Sequence, residues 1–208
     1  MLRGMPDLPI LSRSPELMTP TDTCLLVVDL QTKLLPVIDG GDLVLWNISR
    51  LLEAAKILDV RAVGSEQYPA GLGTTLPEIA SHLGVIAEKL TFSCAGCEQI
   101  NQVIAQSGTS KVLIAGIESH VCVQQTALDL IAAGLRVYIA ADAVGARYQL
   151  DHDFALRRLE SAGATLTTTE AVLFEWCQAA GTPEFKEISR LVRQQRPTQP
   201  VHPDKEKR

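Results

Sequence analysis

The sequence predicts an α/β protein: a doubly wound, six-stranded parallel sheet with helices on both faces, in a Rossmann-like three-layer arrangement. Six short apolar segments alternate along the chain with segments of helical periodicity. Two of the six, residues 24–28 and 112–115, are continuous apolar runs, as expected for strands buried on both faces of a parallel sheet. Polar side chains follow several strands directly, at the edge where such sheets bind ligands.

The first half of the chain contains three of the predicted strands. Residues 24–28 (CLLVV) form the first, residues 60–63 the second and residues 85–87 the third. Residues 43–58 repeat apolar side chains at helical spacing, so a helix is expected to connect the first two strands. A shorter helix is expected at residues 77–83.

The second half of the chain repeats this alternation. A helix at residues 98–106 precedes the strand at 112–115, and the next helix begins after Ser119 and stops at Gly134. The remaining strands are expected at residues 137–141 and 164–167, and the remaining helices at residues 150–162, 170–179 and 184–193.

Proline content divides the chain into three parts. Residues 1–20 carry four prolines and are expected to form an irregular arm, able to pack on the body or on a partner subunit. Residues 21–195 hold every predicted strand and helix and form one domain. The tail, residues 196–208, has three more prolines and is expected to be disordered.

Charge and hydropathy exclude several classes of partner. The formal net charge is −5 and no basic stripe interrupts the acidic balance, so no nucleic-acid partner is expected. Apolar runs fall well short of the roughly 18 residues that span a bilayer, and the N-terminus lacks the apolar core of a signal peptide. A cytoplasmic protein that acts on a small molecule is the resulting expectation.

Five cysteines, an odd number in a chain of this length, argue against a disulfide framework. Cys94 and Cys97 have the spacing of a redox pair or half of a zinc site. A zinc site would need a second pair of ligands, and the four histidines have no ligand-like spacing. A thioredoxin-type role for this pair stays open as an alternative.

Cys122 stands out because of its position at the start of a predicted helix. With Ser119 as the N-cap, Cys122 falls in the first turn, beside unpaired amides and the positive end of the helix dipole. Both are expected to favour the thiolate, which is the nucleophilic form of cysteine. The alternative is that Cys122 is a small core residue, the commoner role of a free cysteine.

Polar residues just past the strand ends support the functional interpretation. They include three acids and a base together with the segment that carries Cys122, and parallel strands bring such residues to one edge. These residues are Asp29, Glu66, Lys89, 118–122 and Asp142.

A cysteine hydrolase needs a proton acceptor, an oxyanion hole and a proton donor for the leaving group. Asp29 can take the Cys122 proton and return it to a departing amine, with Lys89 holding Asp29 in place. The backbone amides of Glu118 and Cys122 can form the oxyanion hole of a reaction that passes through a thioester. Alternatively, Asp29 caps a turn and Lys89 is a surface charge.

His120 is also close to Cys122 in sequence, so a cysteine–histidine dyad is an alternative. Residues two apart on a helix point in different directions, which makes His120 a poor base for Cys122.

The segments around the proposed triad resemble one superfamily. Asp29 in LLVVDLQ, Lys89 in EKLTFS and Cys122 in GIESHVCVQQTALDL are similar, in order and spacing, to the motifs of isochorismatase-like cysteine hydrolases, which include nicotinamidases. The resemblance is strongest to the isochorismatase-domain-containing branch, whose members share segments like residues 65–69 (SEQYP) and 142–147 (DAVGAR).

This resemblance implies a six-stranded parallel sheet and a catalytic triad of Asp29, Lys89 and Cys122. It also implies a cis peptide between Ile117 and Glu118, which would aim the amides of the oxyanion hole. Relatives usually assemble, so a homo-oligomer is expected.

One departure from the superfamily concerns metal binding. Nicotinamidases place a metal-binding Asp and His motif after the second strand, where this chain has residues 66–69 (EQYP). No metal and no cofactor are therefore expected, and nicotinamide is not the expected substrate. Candidate residues for the pocket wall are Gln67, Tyr68, Phe92 and His120, each of which could equally be packing.

Three functional hypotheses follow. The first is a hydrolase that cleaves a small carboxamide or related acyl compound through a cysteine-bound thioester. The second is a vinyl-ether hydrolase of the isochorismatase type, which does not obviously require a thiol. The third is a non-catalytic binding or redox protein that uses Cys94 and Cys97.

Overall fold

The computed structural model describes residues 12–105 and 108–197, and within them the predicted fold class is confirmed. All six strands are parallel and lie in the order β3-β2-β1-β4-β5-β6. The strands are β1 (Thr23–Val28), β2 (Arg61–Gln67), β3 (Val85–Lys89), β4 (Lys111–Ile117), β5 (Arg136–Gly145) and β6 (Thr165–Thr167).

Helices cover both faces of this sheet. They are α1 (Gly41–Leu58), α2 (Pro69–Leu72), α3 (Pro77–Ala80), α4 (Glu98–Ile104), α5 (Gln124–Ala132), α6 (Gln149–Ser161), α7 (Thr169–Cys177) and α8 (Pro183–Val192). Short 3₁₀ turns occupy Leu35–Val37 and Cys94–Gly96, and a π-helical turn occupies Ser119–Val123. Among the described helices, none is both long and apolar enough to cross a bilayer.

The sheet separates two hydrophobic cores, and successive side chains of β1 enter one core and then the other. Leu25 and Val27 point into the core beneath α1, α7 and α8, whereas Leu26 and Val28 point into the core beneath α4, α5 and α6. Cys122 belongs to the second core. The apolar runs of β1 and β4 are continuous because both faces of these central strands are covered.

The strand order reverses between the neighbouring strands β1 and β4, which makes this the switch point of the sheet. Ligands of doubly wound proteins bind in the crevice beyond the carboxyl ends of the strands at such a point. Asp29 follows β1, and the π-helical turn with Cys122 follows β4. The topology therefore brings these two residues to one crevice.

Several predicted boundaries differ from the structure. The helix predicted at residues 77–83 ends at Ala80, and α2 was not predicted. The helix predicted at residues 98–106 is described only as far as Ile104, and Gln106 lies outside the described residues. Strand β5 runs four residues beyond its predicted end at residue 141, because its pairing with β4 resumes after a register shift.

The described part of the N-terminal arm packs against the body. Arg136 donates a hydrogen bond to the carbonyl of Pro15 (2.7 Å), and Lys111 donates one to that of Leu17 (2.9 Å). Met18 is fully buried. Residues 1–11 of the predicted arm, and the predicted disordered tail from residue 198 onward, lie outside the described residues.

Gly116, near the end of β4, lies opposite Val28 of β1, where the space between the two strands leaves no room for a side chain. Its φ is +117°, and a Cβ there would lie 2.1 Å from the carbonyl oxygen of Val28. We expect Gly116→Ala to lower the free energy of unfolding by at least about 2 kcal/mol, measured by chemical denaturation, because strain and a backbone clash add together.

Gly134→Ala is the matched control for that variant. Gly134 also has a positive φ, +87°, but a Cβ there would meet no atom within 4 Å. Only the backbone strain of about 1 kcal/mol is therefore expected. Equal losses in the two variants would contradict the close approach of the central strands.

Candidate active site

Asp29 lies directly after β1 with a left-handed backbone (φ +50°), and its side chain is fully buried. Its Oδ2 accepts a hydrogen bond from Nζ of Lys89 at 2.7 Å. Its Oδ1 accepts one from the Ser65 hydroxyl, also at 2.7 Å. The buried carboxylate is thus both charge-paired and hydrogen-bonded, as a buried charge must be.

Lys89 is the last residue of β3 and is 5% exposed. Besides Asp29, its ammonium donates to Oε1 of Gln67 (2.8 Å) and to the carbonyl of Phe92 (3.1 Å), so its three N–H groups each have an acceptor. Burial disfavours its charged form, but the charge and hydrogen bond of Asp29 outweigh that effect and raise the pKa of Lys89. Lys89 is therefore a buried cation.

Cys122 lies in the π-helical turn after β4 and is 6% exposed. Its Sγ lies 4.0 Å from Oε1 of Gln67. π-Helical turns are rare and occur frequently at functional sites. The structure thus holds the sulfur at the inner end of the crevice, beside the Asp29–Lys89 pair.

The expectation that the helix start favours the Cys122 thiolate is wrong. Burial and the neighbouring carboxylate of Asp29 raise the pKa of the Cys122 thiol, and the ammonium of Lys89 offsets only part of this rise. Desolvation of a buried sulfur outweighs the dipole of a single turn. The resting form of Cys122 is therefore the thiol, which needs a base.

The predicted N-cap is also wrong. Glu118 precedes the π-helical turn, and Ser119 is its first residue. The buried hydroxyl of Ser119 has no hydrogen-bond partner among the described residues. The cause is local, because the chain enters a π-helical turn here and not an α-helical one.

Glu118 lies at the mouth of the crevice, and its peptide bond to Ile117 is cis. Its Oε2 accepts hydrogen bonds from the backbone N–H and from Nε of Arg147, both at 3.1 Å. Its carbonyl accepts from the amides on either side of Cys122, those of Val121 and Val123. Sequence reasoning missed the role of Arg147, which depends on a contact between β4 and the end of β5.

The four candidate pocket residues have different environments. Tyr68 (52% exposed) and Phe92 (51% exposed) lie at the surface. His120 is partly buried, with Nε2 3.9 Å from Oδ2 of Asp151. Gln67, in contrast, is buried and contacts Lys89 and the Cys122 sulfur.

Two residues expected at the rim have structural contacts instead. Glu66 lies within β2, and its Oε1 accepts a hydrogen bond from the amide of Thr75 (2.6 Å), which fixes the loop after α2. Asp142 lies within the extended β5, where its Oδ1 accepts from the amide and hydroxyl of Thr169 and so caps α7. Both positions were misplaced because the predicted strands ended too early.

Cys94, from the predicted redox pair, borders the site. Its Sγ donates to the Ser65 hydroxyl (3.3 Å), which in turn donates to Asp29. Burial raises the pKa of Cys94 to about 11. Cys94 and Cys97 are both free and buried. Ser65 was not predicted, although it and Gln67 are alternate polar residues of a buried strand and so share one face.

Charged side chains around the crevice are paired with each other in the part of the chain that the structure describes. Lys89 pairs with Asp29, and Arg147 pairs with Glu118. The described residues include no group of three or more His, Cys, Asp or Glu side chains that could hold a metal ion. A cavity of about 710 Å³ beside Arg61 and Val85 lies at the opposite end of the strands.

The parallel sheet and the polar cluster at its switch point define a three-layer α/β protein with a candidate active site. The chain belongs to the isochorismatase family, because the family model described as "Isochorismatase domain" matches residues 23–171. The resemblance read from the sequence is thereby confirmed.

Relatives and solved structures agree with this assignment. Isochorismatase domain-containing protein 2 of Danio rerio is 40% identical over 168 residues, covering 81% of this chain and 85% of the relative. The structure of MAR1 ribonuclease from Caenorhabditis elegans is 35% identical, with a TM-score of 0.81 and coverage of 89% of this chain and 97% of that one. The octameric YcaC hydrolase of unknown specificity from Escherichia coli shares the fold at 23% identity (TM-score 0.79, covering 86% of this chain and 92% of that one).

Proposed function

We propose that the protein hydrolyses a small, uncharged carboxamide or related acyl compound through a thioester on Cys122, with Asp29 and Lys89 as the other catalytic residues. The observation that carries this proposal is a buried cluster: Nζ of Lys89 lies 2.7 Å from Oδ2 of Asp29, and Oε1 of Gln67 contacts both Lys89 and the sulfur of Cys122. A thiol with a raised pKa next to a carboxylate is a nucleophile with its own base.

In the first half of the reaction, the sulfur of Cys122 attacks the carbonyl carbon while its proton passes to Asp29. The amides of Glu118 and Cys122 stabilise the oxyanion that forms. Asp29 then gives the proton to the departing amine, and the C–N bond breaks. The acyl group remains on the sulfur as a thioester.

In the second half, water attacks the thioester and gives its proton to Asp29. The acyl group leaves as a carboxylic acid, and the proton returns to the sulfur, so that the thiol is regenerated. Throughout both halves Lys89 stays charged, which holds Asp29 in place and limits the build-up of negative charge.

Charge pairing favours an uncharged substrate over isochorismate. A dianionic substrate would need cations that are free to bind it, whereas Lys89 and Arg147 are already paired with Asp29 and Glu118. The vinyl-ether reaction is therefore the second candidate. A redox role for Cys94 and Cys97 is less favoured, because Cys94 donates its hydrogen bond into the site.

A ribonuclease activity, as named for the Caenorhabditis elegans neighbour, has less support here. The net charge of −5 disfavours binding of a polyanion. We propose that the protein acts in the cytoplasm on a small molecule and binds no nucleic acid. An RNA substrate belongs in the activity test as a separate arm.

We also propose a homo-oligomer. Apolar side chains remain exposed in two segments close to the site: Leu90 and Phe92 after β3, and Tyr148, Leu150 and Phe154 at the start of α6. Exposed apolar side chains of this kind favour association with another chain. Light scattering measures the molar mass in solution, and a monomer would contradict this part of the proposal.

The experiment that tests the function is a panel of small carboxamides assayed for ammonia release. Uncharged amides are expected to be hydrolysed at least about tenfold faster than analogues with a carboxylate, because Lys89 and Arg147, the described cations at the crevice, are already paired with carboxylates. Isochorismate and a short RNA complete the panel. Turnover of either, without turnover of any amide, would contradict the proposal.

A further inference from the structure

Gln67 is the last residue of β2, and its backbone and side chain are both fixed. The side chain of Gln31 accepts from the N–H of Gln67 (2.8 Å) and donates to its carbonyl (3.1 Å). The side-chain Nε2 of Gln67 donates to the carbonyl of Leu90 at 2.9 Å. These contacts define which end of the side-chain amide faces the site: the oxygen.

That oxygen contacts two members of the proposed triad at once. It accepts a hydrogen bond from Nζ of Lys89 at 2.8 Å, and Sγ of Cys122 lies 4.0 Å away as a donor. A carbonyl oxygen has two lone pairs and can accept both bonds. One N–H of Nε2 donates to the carbonyl of Leu90, so the oxygen is the end of the amide that faces the triad.

The lack of charge on Gln67 also matters. Lys89 has one carboxylate partner, Asp29, and its second side-chain acceptor is this neutral amide. A carboxylate at residue 67 would place a second negative charge beside the sulfur. That charge would oppose formation of the thiolate and would compete with Asp29 for the ammonium.

We propose that Gln67 is a positioning residue for the nucleophile: its oxygen links the Cys122 thiol to Lys89, and its neutral amide keeps a second carboxylate away from the sulfur. The proposal rests on the proposed role of Cys122 as nucleophile. The expectation that Gln67 is part of a pocket wall stays a separate prediction.

The test measures the rate at which iodoacetamide alkylates Cys122, resolved by peptide mass spectrometry, from pH 6 to pH 10. Gln67→Glu is expected to move the midpoint of this profile upward, with alkylation at pH 8 about tenfold slower than in the wild type. Gln67→Met is expected to move the midpoint downward, because the thiol loses an acceptor and the released Lys89 can stabilise the thiolate.

Gln102→Glu is the matched control, because it adds the same charge on the exposed face of α4. It is expected to leave the profile of Cys122 unchanged. If Gln67→Met does not fold, judged by its thermal transition, Gln67→Asn replaces it; its withdrawn oxygen is expected to move the midpoint in the same downward direction.

A merely structural role for Gln67 would not shift the alkylation midpoint of Cys122 in opposite directions in the Glu and Met variants. Unchanged midpoints, or shifts in the same direction, would overturn the proposal. The readout needs no substrate, so it remains valid if no amide is hydrolysed. Conversely, amide turnover with an unchanged alkylation profile would reject the role of Gln67 and leave the proposed function intact.

Discussion

Replacing Cys122 by alanine is expected to lower the rate of amide hydrolysis by at least about 10⁴-fold, because the variant has no atom that can carry the acyl group. The fold should survive, since alanine fits the space of a buried cysteine and Cys122 is not paired in a disulfide. The measurement is ammonia release under saturating substrate, together with the thermal transition of the variant.

Cys177→Ala is the control for the loss of a cysteine far from the site. Cys177 lies at the end of α7 and contacts the core on the opposite side of the sheet from Cys122. Its replacement is expected to leave hydrolysis unchanged. If Cys122→Ala keeps hydrolytic activity while Asp29→Ala loses it, a vinyl-ether hydrolysis that needs no thiol replaces the thioester mechanism.

Replacing Asp29 by asparagine is expected to move two properties of Cys122 in opposite directions. Hydrolysis should fall at least about 10³-fold, because no group can take the thiol proton. Alkylation of Cys122 at pH 8 should become faster, about tenfold, because the carboxylate that raises the pKa of the thiol is gone while Lys89 still favours the thiolate.

Faster alkylation in Asp29→Asn is expected because Asp29 and Lys89 shift the pKa of Cys122 in opposite directions. The Asp29 carboxylate adds to the rise that burial causes in the pKa of Cys122, whereas Lys89 lowers this pKa. Removing the carboxylate therefore lowers the pH at which alkylation of Cys122 reaches half its maximum rate. Iodoacetamide labelling between pH 6 and pH 10 measures the midpoint, and the thermal transition checks the fold. Slower alkylation in Asp29→Asn would show that Asp29 does not act on the thiol as proposed.

Much of the fold could be predicted because the central strands are buried on both faces. The continuous apolar runs of β1 and β4 mark them as strands, and the polar residue after β1 could be read directly. Strand β5 was predicted too short, because pairing resumes beyond a register shift that leaves no trace in local hydrophobicity. Asp142 was consequently assigned to the wrong environment.

The three residues of the proposed triad could be selected from the sequence, but the contacts of Ser65 and Gln67 with them could not. The Lys89–Asp29 contact joins β3 to the end of β1 across β2, and strand order is a property of the whole sheet. Ser65 and Gln67 lie on the intervening strand, so their roles depend on the same order. The protonation of Cys122 was misjudged for a related reason: burial depends on packing from several distant segments.

The most direct test of the central claim is the detection of an acyl group on the sulfur of Cys122. Protein mixed with an amide that it hydrolyses, or with a more reactive acyl analogue, is quenched in acid within one turnover and analysed by intact and peptide mass spectrometry. The account predicts a mass increase equal to the acyl group, located on Cys122 and absent from Cys122→Ala. Turnover with no adduct on Cys122, or with the adduct on another residue, would contradict it.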